Sequence, residues 1–227
     1  MLHRLAAILF FFCATAQLWS QTKPQVEPEP LTRILFVFDG SQSMYGRWES
    51  GTKIQVAQRL MGQMLDSLQG IQSEANFQLA LRVYGHQKPV PPQDCSDTKL
   101  EVPFSTGNIY KIKRVLRAIN PMGTTPIAGS LMKAADDFPP CANCRNIIIL
   151  ITDGVEACDG DPCIVSQRLQ KQGIILKPFV IGIGMDENFK ESFECVGNFF
   201  DAAHENTFKN VLGVVISQAL DNTTAQI

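Results

Sequence analysis

Short runs of consecutive apolar residues alternate with longer segments of periodic hydrophobicity along the chain. The strongest runs are Ile34–Phe38 and Ile147–Ile151, and a polar turn follows each of them. Continuous apolar runs of this length, rich in Ile, Val and Phe, are typical of strands buried on both faces of a parallel sheet. Weaker runs predict three further strands, at Asn76–Tyr84, Ile174–Ile183 and Asn198–Ala202.

Apolar residues spaced by three and four positions predict amphipathic helices between these strands. The longest periodic segment begins at Lys53 and ends at Gly70, a residue that suits a helix C-terminus. Pro126 suits the first position of another helix, with Thr125 as its cap. The remaining predicted helices are Ile109–Ile119, one that starts at Asp161-Pro162, Glu187–Cys195 and Phe208–Leu220.

Strands that alternate with helices predict an α/β fold with a doubly wound, mostly parallel sheet and helices on both faces. Lys99–Phe104 is expected to add a short antiparallel strand at one edge, where Pro103 limits its pairing. The predicted sheet is therefore six-stranded. A chain of 227 residues suits one such domain, predicted at 31–227.

The N-terminus has the features of a secretory signal peptide, predicted at 1–20. A short basic start precedes an apolar core at Leu5–Phe12 and a small-residue cleavage site at 14–16. The apolar core is shorter than the ~20 residues that span a bilayer, so no transmembrane anchor is expected after signal removal. Residues 21–30 are predicted to be a Pro-rich linker, and the domain is expected to be secreted or periplasmic.

Charge and cysteine content narrow the possible partners and the compartment. The formal net charge is −2 and no Lys/Arg-rich run occurs, so nucleic acid is not an expected partner. Six cysteines remain if Cys13 leaves with the signal, and an even number in an exported chain favours disulfides. Cys158 and Cys163 flank a Gly-containing turn and are the first predicted pair. Sequence does not choose among the three pairings of Cys95, Cys141, Cys144 and Cys195.

Cys141 and Cys144 form a C-x-x-C motif, which raises the alternative of a thiol–disulfide exchange protein. A redox motif of that type places its first cysteine at a helix N-terminus after a strand. Here the motif follows a predicted helix and precedes a predicted strand, so a structural disulfide is favoured.

Both of the strongest apolar runs end in a carboxylate and a glycine, Asp39-Gly40 and Asp153-Gly154. In open α/β sheets, ligands bind at the carboxyl ends of the strands. Ser41 and Ser43 follow Asp39 at alternate positions, and carboxylate and hydroxyl oxygens suit Mg²⁺, Mn²⁺ or Ca²⁺ better than Zn²⁺ or Cu²⁺. An ordinary strand-to-helix turn with a serine cap is the simpler explanation of the first stretch taken alone.

The segment Asp39-Gly40-Ser41-Gln42-Ser43 resembles the Asp-x-Ser-x-Ser signature of von Willebrand factor type A domains. Thr125 and Asp153 match the remaining positions of the family's metal-ion-dependent adhesion site, in order, and the resemblance covers roughly Leu31 to the C-terminus. It implies that the hydroxyls of Ser41, Ser43 and Thr125 bind a divalent cation, Mg²⁺ or else Mn²⁺ or Ca²⁺. Asp39 and Asp153 would bind the ion directly or through water.

The resemblance also implies a non-enzymatic, exported adhesion domain whose cation recognises an acidic residue of a protein partner. Tyr45 and Trp48 lie close to this site in sequence, and such residues are frequent interface anchors. Local packing of the loop is the other expected role, for at least one of them. The oligomeric state stays open.

A metal-dependent phosphatase is the main enzymatic alternative, with Asp39 as nucleophile at a strand end. That class usually has a second Asp two positions on, where this chain has Ser41. His86 and His204 are isolated from the motifs, so no histidine is well placed as a base. A non-enzymatic function is therefore predicted.

Overall fold

The computed structural model describes residues 29–71, 76–172, 179–184, 189 and 191–220. The predicted signal peptide and all but the last two residues of the predicted linker lie outside this part of the chain. The strands are β1 Leu31–Asp39, β2 Arg47–Trp48, β3 Gly51–Thr52, β4 Phe77–Tyr84, β5 Thr98–Ser105, β6 Cys144–Thr152, β7 Phe179–Ile183 and β8 Asn198–Ala202. The helices are α1 Lys53–Ile71, α2 Ile109–Ala118, α3 Ile127–Asp136, α4 Pro162–Lys171, α5 Glu191–Glu194 and α6 Glu205–Leu220.

The main sheet has six strands in the order β5-β4-β1-β6-β7-β8. β1 pairs in parallel with both β4 and β6, and β7 and β8 extend the sheet in parallel on one side. β5 closes the other edge and runs antiparallel to β4. The predicted fold class, including its antiparallel edge strand, is confirmed.

Alternate residues of β1 face opposite sides of the sheet and divide the core into two layers. Ile34, Phe36 and Phe38 pack in the layer formed with α1, α2 and α6. Leu35 and Val37 pack in the layer formed with α3 and α4. Both faces of this strand are buried because helices cover both sides of the sheet, which explains its uninterrupted apolar run.

Several predicted helix boundaries differ from the structure. α3 begins at Ile127, with Pro126 at the cap position and no capping bond from a side chain there. α6 begins at Glu205, before its first buried apolar residue, Phe208. Within the predicted Glu187–Cys195 helix, α5 spans Glu191–Glu194, and the predicted start lies outside the residues that the structure describes. Hydrophobic spacing marks the buried face of a helix but not its polar ends, so a helix end predicted from spacing can differ from the observed end by a few residues.

The predicted Cys158–Cys163 disulfide is wrong. Cys158 is bonded to Cys95, while Cys163 is bonded to Cys195. α4 begins between the two predicted partners, at Pro162, and Asp161 accepts hydrogen bonds from the first backbone N–H groups of this helix. Cys163 therefore packs against the α3–α4 core layer, while Cys158 stays in the preceding loop. The third bond joins Cys141 to Cys144.

Removing the Cys95–Cys158 bond by a double alanine substitution should lower the free energy of unfolding by about 4 kcal/mol, measured by urea denaturation. The cysteines are 63 residues apart, so the bond removes much chain entropy from the unfolded state. The matched control removes Cys141–Cys144, whose separation is 3, and should cost about 2 kcal/mol. A Cys158–Cys163 peptide in a digest of the unreduced protein would contradict the pairing.

Candidate functional site

Two carboxylates meet at the carboxyl edge of the sheet because β1 and β6 are neighbouring parallel strands. Their register pairs Phe38 with Ile151, one residue before Asp39 and two before Asp153. The backbone N–H of Asp153 lies 3.4 Å from Asp39 Oδ2. Asp39 is fully buried, and so is the side chain of Asp153.

Hydrogen bonds from Ser41 and Thr152 hold the Asp39 carboxylate in one orientation. The backbone N–H of Ser41 donates to Oδ1 at 2.7 Å, and Thr152 Oγ1 donates to Oδ2 at 2.8 Å. The Tyr84 hydroxyl donates in turn to Thr152 Oγ1 at 3.0 Å. The carboxylate is therefore positioned by the sheet itself, because Tyr84 and Thr152 are the last residues of the strands on either side of β1.

Burial, together with the nearby negative charge of Asp153, raises the pKa of Asp39 to about 6. The hydrogen bonds from Ser41 and Thr152 act in the opposite direction and only partly offset this effect. Two carboxylates held together away from water repel each other, and a positive charge between them would relieve that repulsion.

The serine hydroxyls connect the Asp39 loop with Asp153. Ser41 Oγ and Ser43 Oγ are 2.9 Å apart, and Ser43 Oγ donates to Asp153 Oδ1 at 2.6 Å. Lys53 Nζ donates to the other oxygen of Asp153, at 2.9 Å. One hydrogen-bonded group therefore contains four of the five residues that the sequence singled out: Asp39, Ser41, Ser43 and Asp153.

The loop that carries Thr125 packs against both parts of this group through its backbone. Gln42 N–H donates to the Gly123 carbonyl at 2.9 Å, and Ala157 N–H donates to the Thr125 carbonyl at 3.0 Å. Close packing here requires Gly85, whose φ is +66° and where a Cβ would lie 2.4 Å from the Thr124 carbonyl oxygen. Thr125 is thus placed at the same edge of the sheet, although no hydrogen bond of its side chain joins it to the group.

Glu156, rather than Thr125, satisfies the N-terminus of α3. Its Oε2 accepts a hydrogen bond from Ala128 N–H at 2.5 Å, and its Oε1 accepts one from Cys158 N–H at 2.9 Å. The predicted role of Thr125 as a helix cap is therefore wrong. Glu156 follows the Asp153 loop, so this carboxylate fixes that loop against the start of α3.

The two aromatic residues proposed as partner contacts have different environments. Tyr45 is 49% exposed, and its hydroxyl donates to Asn120 at 3.1 Å. Trp48 is only 7% exposed, packs edge-to-face on Phe208, and donates from Nε1 to the Ala203 carbonyl at 2.9 Å. The ring of Trp48 anchors the β2–β3 hairpin to α6, which is the local packing role expected for at least one of these two residues.

Three residues of the site were not found from the sequence: Thr152, Tyr84 and Lys53. Thr152 and Tyr84 are polar residues at the ends of apolar strands, which is a usable but weak signal. The sequence signal for Lys53 is stronger, because a lysine at the start of a helix lies unfavourably next to the positive end of the helix dipole and therefore suggests another role.

The C-x-x-C pair lies at the other end of the sheet. Cys144 is the first residue of β6, whereas the carboxylate site follows the last residue of that strand. Within the described residues, no three His, Cys, Asp or Glu side chains form a cluster suited to a metal ion. The donors gathered at the site are two carboxylates and two serine hydroxyls.

A doubly wound α/β domain with carboxylates and hydroxyls gathered at the carboxyl edge of its sheet is the class that these observations define. The chain belongs to the von Willebrand factor type A domain family, whose sequence model matches residues 34–211. It is 26% identical over 219 residues to the uncharacterized protein YwmC of Bacillus subtilis. The alignment covers 92% of each of the two chains.

Two solved structures share the fold at low sequence identity. BatB from Bacteroides thetaiotaomicron, described as a conserved hypothetical protein, aligns with a TM-score of 0.65 at 18% identity, over 83% of this chain and 98% of that one. The pilus adhesin SpaC from Lactobacillus rhamnosus GG aligns with a TM-score of 0.71 at 14% identity, over 86% of this chain and 31% of that one. In the part of the chain that the structure covers, no helix is long and apolar enough to cross a membrane.

Proposed function

We propose that this chain is an exported, non-enzymatic protein-binding domain that holds one divalent cation at the carboxyl edge of its sheet. The ion is Mg²⁺, or else Mn²⁺ or Ca²⁺, and the partner is a protein that presents a carboxylate. The observation that carries this proposal is the single hydrogen-bonded group of Asp39, Ser41, Ser43 and Asp153.

The donor chemistry of the group supports this choice of ion. Carboxylate and hydroxyl oxygens are the ligands of hard cations. Burial and the repulsion from Asp153 together raise the pKa of Asp39, and a bound cation would relieve that repulsion. Ser41, Ser43 and Thr125 would contribute hydroxyl oxygens, and Asp39 and Asp153 would contribute carboxylates. When bound, the cation supplies an electrophilic position for an oxygen anion of the partner.

Tyr45 is proposed to contribute to the partner-binding surface. It belongs to the same loop as Ser41 and Ser43, and about half of its side-chain surface is exposed. An aromatic ring beside an ion site offers apolar contact area next to a charged one, a combination that suits an interface anchor. The adhesin neighbour and the predicted signal peptide support an extracellular binding role over catalysis.

Calorimetric titration of the chelator-treated protein with Mg²⁺, Mn²⁺ and Ca²⁺ tests the proposal directly. One ion per chain is expected for at least one of these cations. Absence of binding for all three would overturn the metal-dependent function. A phosphate-ester turnover assay on the loaded protein should show no activity above that of the chelated protein.

Thr125→Ala should weaken cation binding about tenfold, because one oxygen ligand is lost, while the fold stays intact. Thr124→Ala is the matched control, since both threonines are 8% exposed and lie on the same loop. Titration calorimetry measures the affinities, and thermal unfolding checks the fold. An equal loss of affinity in both variants would show that Thr125 acts through loop structure rather than as a ligand.

A further inference from the structure

Lys53 is bound to the candidate metal site, although the family signature has no place for it. Its Nζ lies 2.9 Å from Asp153 Oδ2, and its side chain is 17% exposed while that of Asp153 is fully buried. The contact joins the first residue of α1 to the residue that follows β6, 100 positions away in the sequence.

The position of Lys53 is electrostatically unfavourable for a simple helix start. The first turn of a helix carries a partial positive charge, so an acidic residue is stabilising there and a lysine is not. Here the ammonium group is directed to the Asp153 carboxylate. The negative charge of Asp153 compensates both the charge of the lysine and the partial positive charge of the helix end. A lysine at this position is thus explained by the site rather than by the helix.

The aliphatic stem of Lys53 reaches the site past two glycines. Lys53 Cε lies 3.6 Å from the points where a Cβ would stand on Gly46 and on Gly184. The backbone N–H of Lys53 also donates to the Gly46 carbonyl at 2.9 Å. The stem therefore runs between two glycines, in space that a side chain at either position would approach.

We propose that Lys53 is a built-in counter-cation of Asp153 that lowers the affinity of the site for divalent ions. This inference rests on the proposed function and concerns its regulation. An ammonium group and a divalent ion share the same buried carboxylate, so each weakens the attraction of the other for it. The site thereby binds its cation reversibly instead of holding it permanently.

A second consequence concerns the partner. With Asp39 and Asp153 ionised and Lys53 charged, the site carries one net negative formal charge before the cation binds and one net positive charge afterwards. Without the lysine, the loaded site would be neutral. Because of Lys53, binding of the cation changes the net charge of the site from negative to positive. An acidic partner is therefore attracted to the loaded form and repelled by the empty one.

Titration with MgCl₂ of the wild type, Lys53→Met and Lys53→Arg tests the inference. Methionine keeps most of the length of the stem without the charge, so the Mg²⁺ dissociation constant of Lys53→Met should be about tenfold lower than that of the wild type. Arginine keeps the charge, so the dissociation constant of Lys53→Arg should stay within about threefold of the wild type. Lys113→Met is the matched control: Lys113 is similarly buried and paired with Asp66, but distant from the site, and its loss should change nothing.

The outcomes separate this inference from the function on which it rests. Mg²⁺ binding by the wild type with equal or weaker binding by Lys53→Met would overturn the role of Lys53 alone. Absence of binding in every variant would overturn both. The thermal midpoint gives an independent measure, because Mg²⁺ should raise it more in Lys53→Met than in the wild type. If Lys53→Met unfolds without metal, competition with a chromophoric chelator after purification in Mg²⁺ provides the same comparison.

Discussion

Asp39→Asn should abolish Mg²⁺ binding and, in the same protein, increase the stability of the metal-free fold. The substitution removes one of two buried carboxylates, so the cation loses a charged ligand and Asp153 loses its negative neighbour. The amide can keep the main contacts, since its oxygen can accept from Ser41 N–H and its NH₂ group can donate to Thr152 Oγ1. We expect affinity to fall more than about 100-fold, measured by titration calorimetry.

The gain in stability should depend on pH in a defined direction. The pKa of Asp39 is about 6 in the fold and about 3.9 in the unfolded chain, so the folded protein binds the proton more tightly. Well below pH 4 the aspartate is protonated in both states and costs nothing. As pH rises from about 4 to 6, the unfolded chain ionises while the folded protein keeps the proton, so stability is lost over this window and the loss is complete above about pH 6. Asp39→Asn should therefore gain about 1–3 kcal/mol at pH 7.5, nearly as much at pH 6, and less than about 1 kcal/mol at pH 4.5.

Urea denaturation in chelator at pH 4.5, 6 and 7.5 measures this difference. Saturating Mg²⁺ at pH 7.5 should reverse the order, because the ion stabilises only the wild type. Asp136→Asn, at the exposed end of α3, is the control and should alter neither stability nor binding. Wild-type Mg²⁺ affinity in Asp39→Asn would remove this residue from the site.

Arg82→Met should cost about 3–5 kcal/mol, the largest loss of stability that we expect from a single polar substitution. Arg82 lies on β4 and pairs through both Nε and an η nitrogen with Asp137, at 2.6 and 2.7 Å. Both side chains are only 7% exposed. Removing the guanidinium leaves a buried carboxylate without a counter-charge, and that penalty exceeds the worth of the pair itself.

The double variant Arg82→Met/Asp137→Leu isolates this cause. Because it removes both charges, it should recover most of the lost stability in chemical denaturation. Arg59→Met is the matched surface control, since the Arg59–Glu205 pair leaves its arginine 46% exposed and its loss should cost less than about 1 kcal/mol. Arg82 also donates to Thr98 Oγ1 of the edge strand at 3.1 Å, and a double variant no more stable than Arg82→Met would show that the loss comes from this contact instead.

The sequence by itself determined the class of fold and the edge of the sheet at which the candidate site lies. Ile34–Phe38 and Ile147–Ile151 are long enough and apolar enough to be central strands, and their pattern requires helices on both faces of the sheet. Parallel strands deliver their C-terminal residues to one edge of the sheet, so the sequence predicted that both Asp-Gly turns lie at that edge. These features follow from the local hydrophobic pattern, which depends only on residues that are adjacent in the sequence.

Only the tertiary structure decided the cysteine pairing, the burial of Trp48 and the contact between Lys53 and Asp153. Each depends on segments far apart in sequence: Cys95 and Cys158 are separated by 63 positions, and Lys53 and Asp153 by 100. Trp48 is close to the candidate metal site in sequence, but in the structure its ring packs against Phe208 of α6. Sequence periodicity reports which face of an element is buried, whereas these contacts depend on how the elements pack against one another.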